Sequence, residues 1–156
     1  MKKKKHSIKF KEATRKVTEA MESAAANSDW NFSNKRYLLH AEQQALCQGH
    51  TKSISLYEAS IENAKKSGFV HEQGLACEKA GFYYKRMKDM QKSWQYFKQA
   101  RECYDEWGSS FKVEFVQREL DRLQQQQNEQ QQPRSIYWWA MAGSCSDVCT
   151  WVYELM

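Results

Sequence analysis

The chain has 156 residues, a formal net charge of +5, one Pro, six Gly and five Cys. That length holds one domain with tails; the few turn residues exclude an all-β protein, and plentiful Gln, Glu, Lys, Ala and Met favour an all-α fold. No apolar run reaches the roughly 18 residues that span a bilayer, no secretory signal follows the basic N-terminus, and the odd cysteine count builds no disulfide framework, so the expected location is intracellular, in the cytoplasm.

Residues 1–29 form a basic segment. Lys2 to Lys5 run together, and Lys9, Lys11, Arg15 and Lys16 follow. Ile8, Phe10, Val17 and Met21 make a thin apolar stripe, which predicts a helix over about 8–26. Such a segment is either a solvated terminus or a contact for nucleic acid, an anionic membrane or an import receptor.

The organised part is 30–123. Ser33 or Asn34 is placed to cap a helix running to about Gln48, where Gly49 breaks it. A second helix is predicted from about Lys52 to Lys66, ending at the Ser67-Gly68 signal. A third runs from about Val70 to Arg86 and gives way at Lys88-Asp89, and a fourth from about Met90 to Trp107 stops at Gly108. Ser109 or Ser110 caps a fifth from Phe111 to about Gln124. Short connectors between helices of this length make them antiparallel neighbours. Residues 124–133 are a Gln-rich linker ended by Pro133, read as disorder or as a fraying helix extension. The tail 134–156 holds a consecutive apolar and aromatic run from Ile136 to Ala142. It suits docking on the helices, a membrane interface or a partner.

Two stretches of the organised part echo each other 40 positions apart. Tyr37, Ala41, Ser53, Tyr57, Ser60 and Gly68 recur as Cys77, Gly81, Ser93, Phe97, Ala100 and Gly108. The offsets from Ser53 to Tyr57 to Ser60 put all three on one helix face. Small residues let two helices approach, and the aromatic fills the space between them. A repeat of this period means stacked helical hairpins, a binding architecture.

The order of small residue, turn, small, aromatic, small resembles a tetratricopeptide repeat. More closely, 34–123 resembles the two-repeat segment beside the NTPase module of multi-domain sensor kinases. The matching residues are Ser53-Ile54-Ser55-Leu56-Tyr57-Glu58-Ala59-Ser60-Ile61, then Gly68-Phe69, then Tyr104-Asp105-Glu106-Trp107-Gly108 and Lys112-Val113. Two departures stand out: Ser takes the place of the usual Ala at 53, 60 and 93, and no NTPase or kinase module accompanies the repeats. The resemblance implies a short solenoid of antiparallel hairpins with a C-terminal capping helix, and a scaffold that binds a protein or peptide in a groove lined by the first helix of each hairpin. Carried onto this chain, Lys35, Leu38, Glu42 and Leu46 face that groove from the first copy. Leu75, Glu78, Phe82, Lys85 and Arg86 face it from the second. Leu38, Leu75 and Phe82 serve equally well as core.

Strings that carry catalysis are absent. There is no phosphate-binding glycine loop, no kinase catalytic string and no Gly-x-Ser-x-Gly elbow. His40, His50 and His71 are scattered, and His71-Glu72 reads as polar surface. Cys145 and Cys149 would share a helix face but lack the further ligands that zinc needs; Cys47, Cys77 and Cys103 read as buried small hydrophobes. The expectation is a non-enzymatic protein-interaction module in a signalling system, without cofactor or metal. The weaker alternative is a nucleic-acid-associated or membrane-surface adaptor that uses the basic N-terminus and the aromatic tail.

Overall fold

The computed structural model describes residues 2–46 and 50–131. The chain divides into two compact units, Met1–Asp121 and Arg122–Met156. The described part of the second is the helical stretch 122–131. The aromatic tail, Cys47, Gln48, Gly49, Cys145 and Cys149 lie outside the described residues.

All regular structure among the described residues is helical. The helices are α1 (Lys2–Asn27), α2 (Asp29–Leu46), α3 (His50–Lys66), α4 (Val70–Arg86), α5 (Met90–Glu106) and α6 (Ser110–Gln131). In the first unit α2 packs on α3 and α4 on α5, giving two hairpins; α3 packs on α4 to stack them, and α1 packs on α2. The all-α hairpin stack read from the repeat is therefore the fold. No described helix is long and apolar enough to cross a membrane.

The helix starts at 50, 70, 90 and 110 are 20 residues apart, half the sequence period. The turns explain this regularity. Gly68, Lys88 and Gly108 have φ of 72°, 61° and 81°. At each, the next residue's N–H reaches back five positions: Phe69 to the Ala64 carbonyl at 2.9 Å, Asp89 to Tyr84 at 3.0 Å and Ser109 to Tyr104 at 2.9 Å. The left-handed residue itself bonds three back in every case, to Lys65, Lys85 and Asp105. These are three Schellman caps, each satisfying the last carbonyls of one helix and redirecting the chain into the next. Asp89 adds an N-cap, its Oδ1 accepting from the Lys92 N–H at 3.0 Å.

The start of α2 differs from the sequence expectation. The helix begins at Asp29, and Ser33 and Asn34 are buried inside it. Ser33 donates to Asp29, and Asn34 donates to Glu72 of α4. Ser33 thus bonds within its own helix and Asn34 bonds a second helix, so neither is the cap. The first helix also extends beyond the expected 8–26, back to Lys2, and α6 continues through the glutamines to Gln131.

The small–aromatic interlock is present in both hairpins. Ala41, Ser53, Tyr57 and Ser60 are buried in the first, and Gly81, Ser93, Phe97 and Ala100 in the second. A Cβ on Gly81 would sit 2.9 Å from Phe97 Cδ1, so this close approach requires glycine. Two of the buried serines have a role here. Ser60 Oγ donates to the Asn34 carbonyl at 2.7 Å, and Ser93 Oγ donates to the Gly81 carbonyl at 2.9 Å. Each hydroxyl bonds a helix backbone across its seam and so is not left unsatisfied on burial.

Candidate functional site

The expected groove residues fall into two groups. In the first copy, Lys35 Nζ lies 2.8 Å from Glu72 Oε1, a link from α2 to α4. Leu38 packs against the cluster of Ala41, Tyr57, Ala80, Tyr83 and Tyr84. Glu42 Oε1 accepts from the Tyr57 hydroxyl at 2.7 Å. Leu46 is 66% exposed.

In the second copy the expected groove is largely filled. Glu78 is buried and accepts from Tyr104 Oη at 2.8 Å and from Lys112 Nζ of α6 at 2.9 Å. Phe82 meets Phe115 of α6 at 6.3 Å between ring centroids, and Lys85 Nζ pairs with Glu119 Oε2 at 2.6 Å. These three side chains bind the last helix to α4 rather than facing solvent. A repeat position marks which face of a helix points into the stack's concave side; it does not tell whether a further helix covers that face. Leu75, 36% exposed, and Arg86 remain open.

A different surface stands out in the structure. The turns preceding α2, α4 and α6 bring together aromatic rings from distant parts of the chain. Trp30 stacks on Phe69 at 5.5 Å, Phe69 meets His71 edge-on at 6.5 Å, and His71 stacks on Trp107 at 5.2 Å. The result is a row of four rings across three turns. Trp30 is 65% exposed and Trp107 53%, and Phe111, the second residue of α6, is 70% exposed.

The row is held from below. Lys35 Nζ lies 5.2 Å from the Phe69 ring centre while it pairs with Glu72, and Glu72 also accepts from Asn34. His71 Nε2 is 3.6 Å from Glu72 Oε1. The Ser67 hydroxyl donates to the Trp30 carbonyl at 2.9 Å, tying the start of α2 to the end of α3. A lysine over an aromatic face adds attraction and fixes the ring. The rings are therefore presented on short caps and paired charges.

Sequence reasoning missed this row because its members are spread from 30 to 107 and belong to no repeat position. The one available signal is that each lies within a residue or two of a helix boundary. His71, read as polar surface, is exposed but stacks on Trp107 and meets Phe69 edge-on.

Burial shifts the hydroxyls and thiols of the interior. Tyr57 and Tyr104 are pushed well above the ordinary tyrosine range, first by burial and then by the carboxylates Glu42 and Glu78 that accept their hydrogen bonds. Among the described residues no cluster of three or more His, Cys, Asp or Glu is placed to hold a metal ion.

Comparison with protein-family models, curated proteins and solved structures finds no match to this chain.

Proposed function

We propose that the chain is a non-catalytic protein–protein interaction module of tetratricopeptide type, a scaffold or regulatory part of an intracellular signalling system. Its contact surface is the aromatic row, and its partner is an extended protein segment whose apolar or aromatic side chains lie across the rings. The observation that supports this is the exposure of Trp30 and Trp107 at the two ends of a row of ring contacts, with Phe111 a further exposed ring four residues on from Trp107. Large apolar rings gathered at one edge of a domain are a mark of an interaction surface. Tryptophan in particular supplies much of the binding energy at such contacts.

The test uses the full chain as bait, with bound proteins quantified by mass spectrometry. The variant Trp30→Ser/Trp107→Ser/Phe111→Ser is expected to lose a partner that the parent chain captures, by about tenfold or more. The variant Leu46→Ser/Leu75→Ser/Arg86→Ala, which alters the open remainder of the groove, is expected to keep it. The reverse pattern would move the contact to the groove. Salt-steep RNA or DNA binding that disappears on deleting residues 2–5 would support the nucleic-acid alternative.

A further inference from the structure

A cleft of about 640 Å3 is lined by α3, the start of α4 and α5. It adjoins the aromatic row. Gly68 and Val70 line it on either side of Phe69, and Glu106 lines it next to Trp107. A segment lying across the Phe69, His71 and Trp107 rings therefore has the cleft within reach of its next residues.

The lining is acidic and partly apolar. Glu62, Glu102 and Glu106 stand against a single lysine, Lys65. Glu62 Oε1 is 3.5 Å from Lys66 Nζ, which lies outside the lining. Glu102 and Glu106 have no ion-pair partner among the described residues. They are four positions apart on α5, so the two carboxylates share one face of the helix. Like charges at that spacing repel, and a cation placed between them relieves the repulsion. Ile61, Val70 and Cys103 add apolar surface, and Gln73 and Gln99 add amide oxygens. An arginine matches all of this. Its aliphatic stem packs on apolar surface, and its fork of five N–H donors uses several acceptors at once. A lysine ammonium is a point charge without that fork.

We propose that this cleft takes an arginine of the partner segment, and that this arginine stands two residues from an aromatic or large apolar residue lying on the rings. The inference rests on the aromatic row being the contact surface. The spacing follows from an extended chain, in which alternate residues point the same way about 7 Å apart. One side chain then rests on the rings while the other enters the cleft; adjacent residues would point to opposite faces. The volume falls within the roughly 300–1,000 Å3 of small-ligand sites, enough for a guanidinium with ordered water. The same carboxylates repel an acidic segment, so the cleft selects among the apolar segments that the rings alone would accept.

The experiment pans a phage-displayed library of random short peptides on the full chain and measures the retained peptides by fluorescence anisotropy. The expected enrichment is an arginine two positions from an aromatic or large apolar residue. Replacing that arginine with citrulline, its uncharged isostere, should weaken binding by about tenfold, and so should Glu102→Gln/Glu106→Gln. Both glutamates are exposed, so the variant keeps its fold. Glu114→Gln/Glu129→Gln removes the same charge at exposed positions outside the cleft and should leave the affinity unchanged. Equal loss in the two charge variants would overturn the site, because net charge alone would then explain it. Peptides that need Trp30, Trp107 and Phe111 but tolerate citrulline and Glu102→Gln/Glu106→Gln would overturn the arginine site and leave the row standing. Peptides that need the two glutamates but survive Trp30→Ser/Trp107→Ser/Phe111→Ser would overturn the row, and the two-residue spacing with it. An enriched pattern without arginine, or a library from which no peptide is retained, would also overturn the site.

Discussion

In the first hairpin the aromatic at the seam is Tyr57, whose hydroxyl donates to Glu42 Oε1 at 2.7 Å. In the second, the residues 40 positions on are Phe97 and Phe82, which meet edge to face at 5.0 Å between ring centroids. The small residue under the ring is Ala41 in one and Gly81 in the other. One backbone plan thus carries a polar seam in one copy and an apolar seam in the next. The two partners in each seam match: the hydroxyl comes with its acceptor, and the ring without a hydroxyl comes with a second ring. The seam is a pairwise unit, and changing one member alone should cost more than changing both.

The largest expected effect tests that pairing directly. Phe97→Tyr brings a hydroxyl to a fully buried position facing Phe82, which should destabilise the chain by about 2 kcal/mol. Adding Phe82→Glu supplies the acceptor used in the first hairpin, and the double variant should recover about 1 kcal/mol relative to additivity. Tyr57→Phe should cost about 1 kcal/mol, because it removes the donor from a half-buried Glu42. Urea denaturation of the parent chain, Phe97→Tyr, Phe82→Glu and the double variant measures the coupling. Strict additivity would mean that the seams are filled residue by residue.

Next in size is the contrast at the small position. Gly81→Ala places a methyl 2.9 Å from two atoms of the Phe97 ring, and overpacking of this kind costs about 1–3 kcal/mol. Ala41→Gly in the first hairpin should cost about 1 kcal/mol through helix propensity and a lost buried methyl. Thermal midpoints of both variants check the ranking. If Gly81→Ala raised the midpoint, the Phe97 ring must be free to move aside.

These seams show what was legible in the sequence. The 40-residue echo contained the small and aromatic positions, and the glycines at 68 and 108 marked helix ends, so the hairpins could be read. The starts at Val70 and Met90 were readable for the same reason, since the caps are local. The start of α2 was not, because Ser33 and Asn34 have cap chemistry but spend it on Asp29 and Glu72. Nor was the covering of Glu78, Phe82 and Lys85, since it depends on where α6 lies. The aromatic row needs three turns brought to one edge, a product of the fold rather than of any local pattern.

The polar seam also has a pH signature that the apolar seam lacks. Tyr57 is raised above the ordinary tyrosine value by burial and by Glu42, so the folded chain keeps a proton that the unfolded chain loses near pH 10. Tyr104, raised by burial and Glu78, and Tyr96, pushed up to about 12 by burial and the nearby Tyr84, act in the same direction. Above about pH 10 the unfolded state binds fewer protons, and stability falls as pH rises. Below that pH the contribution is fully present. Tyr57→Phe should flatten this alkaline loss by up to about 1.4 kcal/mol per pH unit. Denaturation midpoints between neutral and alkaline pH measure it, and parallel curves for the two chains would assign the loss to Tyr104 and Tyr96.

The smallest effect concerns the turns, where the link between the two strands of the comparison is a lysine. Gly68 and Gly108 close α3 and α5, but Lys88 closes α4 at φ 61° with the same pair of backbone bonds. A side chain in the left-handed region costs about 1–2 kcal/mol relative to the right-handed one, and glycine avoids this. Part of that gain is lost because glycine also widens the unfolded ensemble. Lys88→Gly should therefore stabilise the chain by about 0.5–1 kcal/mol. Gly108→Lys should cost a similar amount, because nothing crowds a Cβ there and only the backbone angle opposes it. Equal and opposite shifts in the two variants would show that the three caps are interchangeable parts. A destabilised Lys88→Gly chain would mean that the lysine side chain contributes more to the second hairpin than its backbone angle costs.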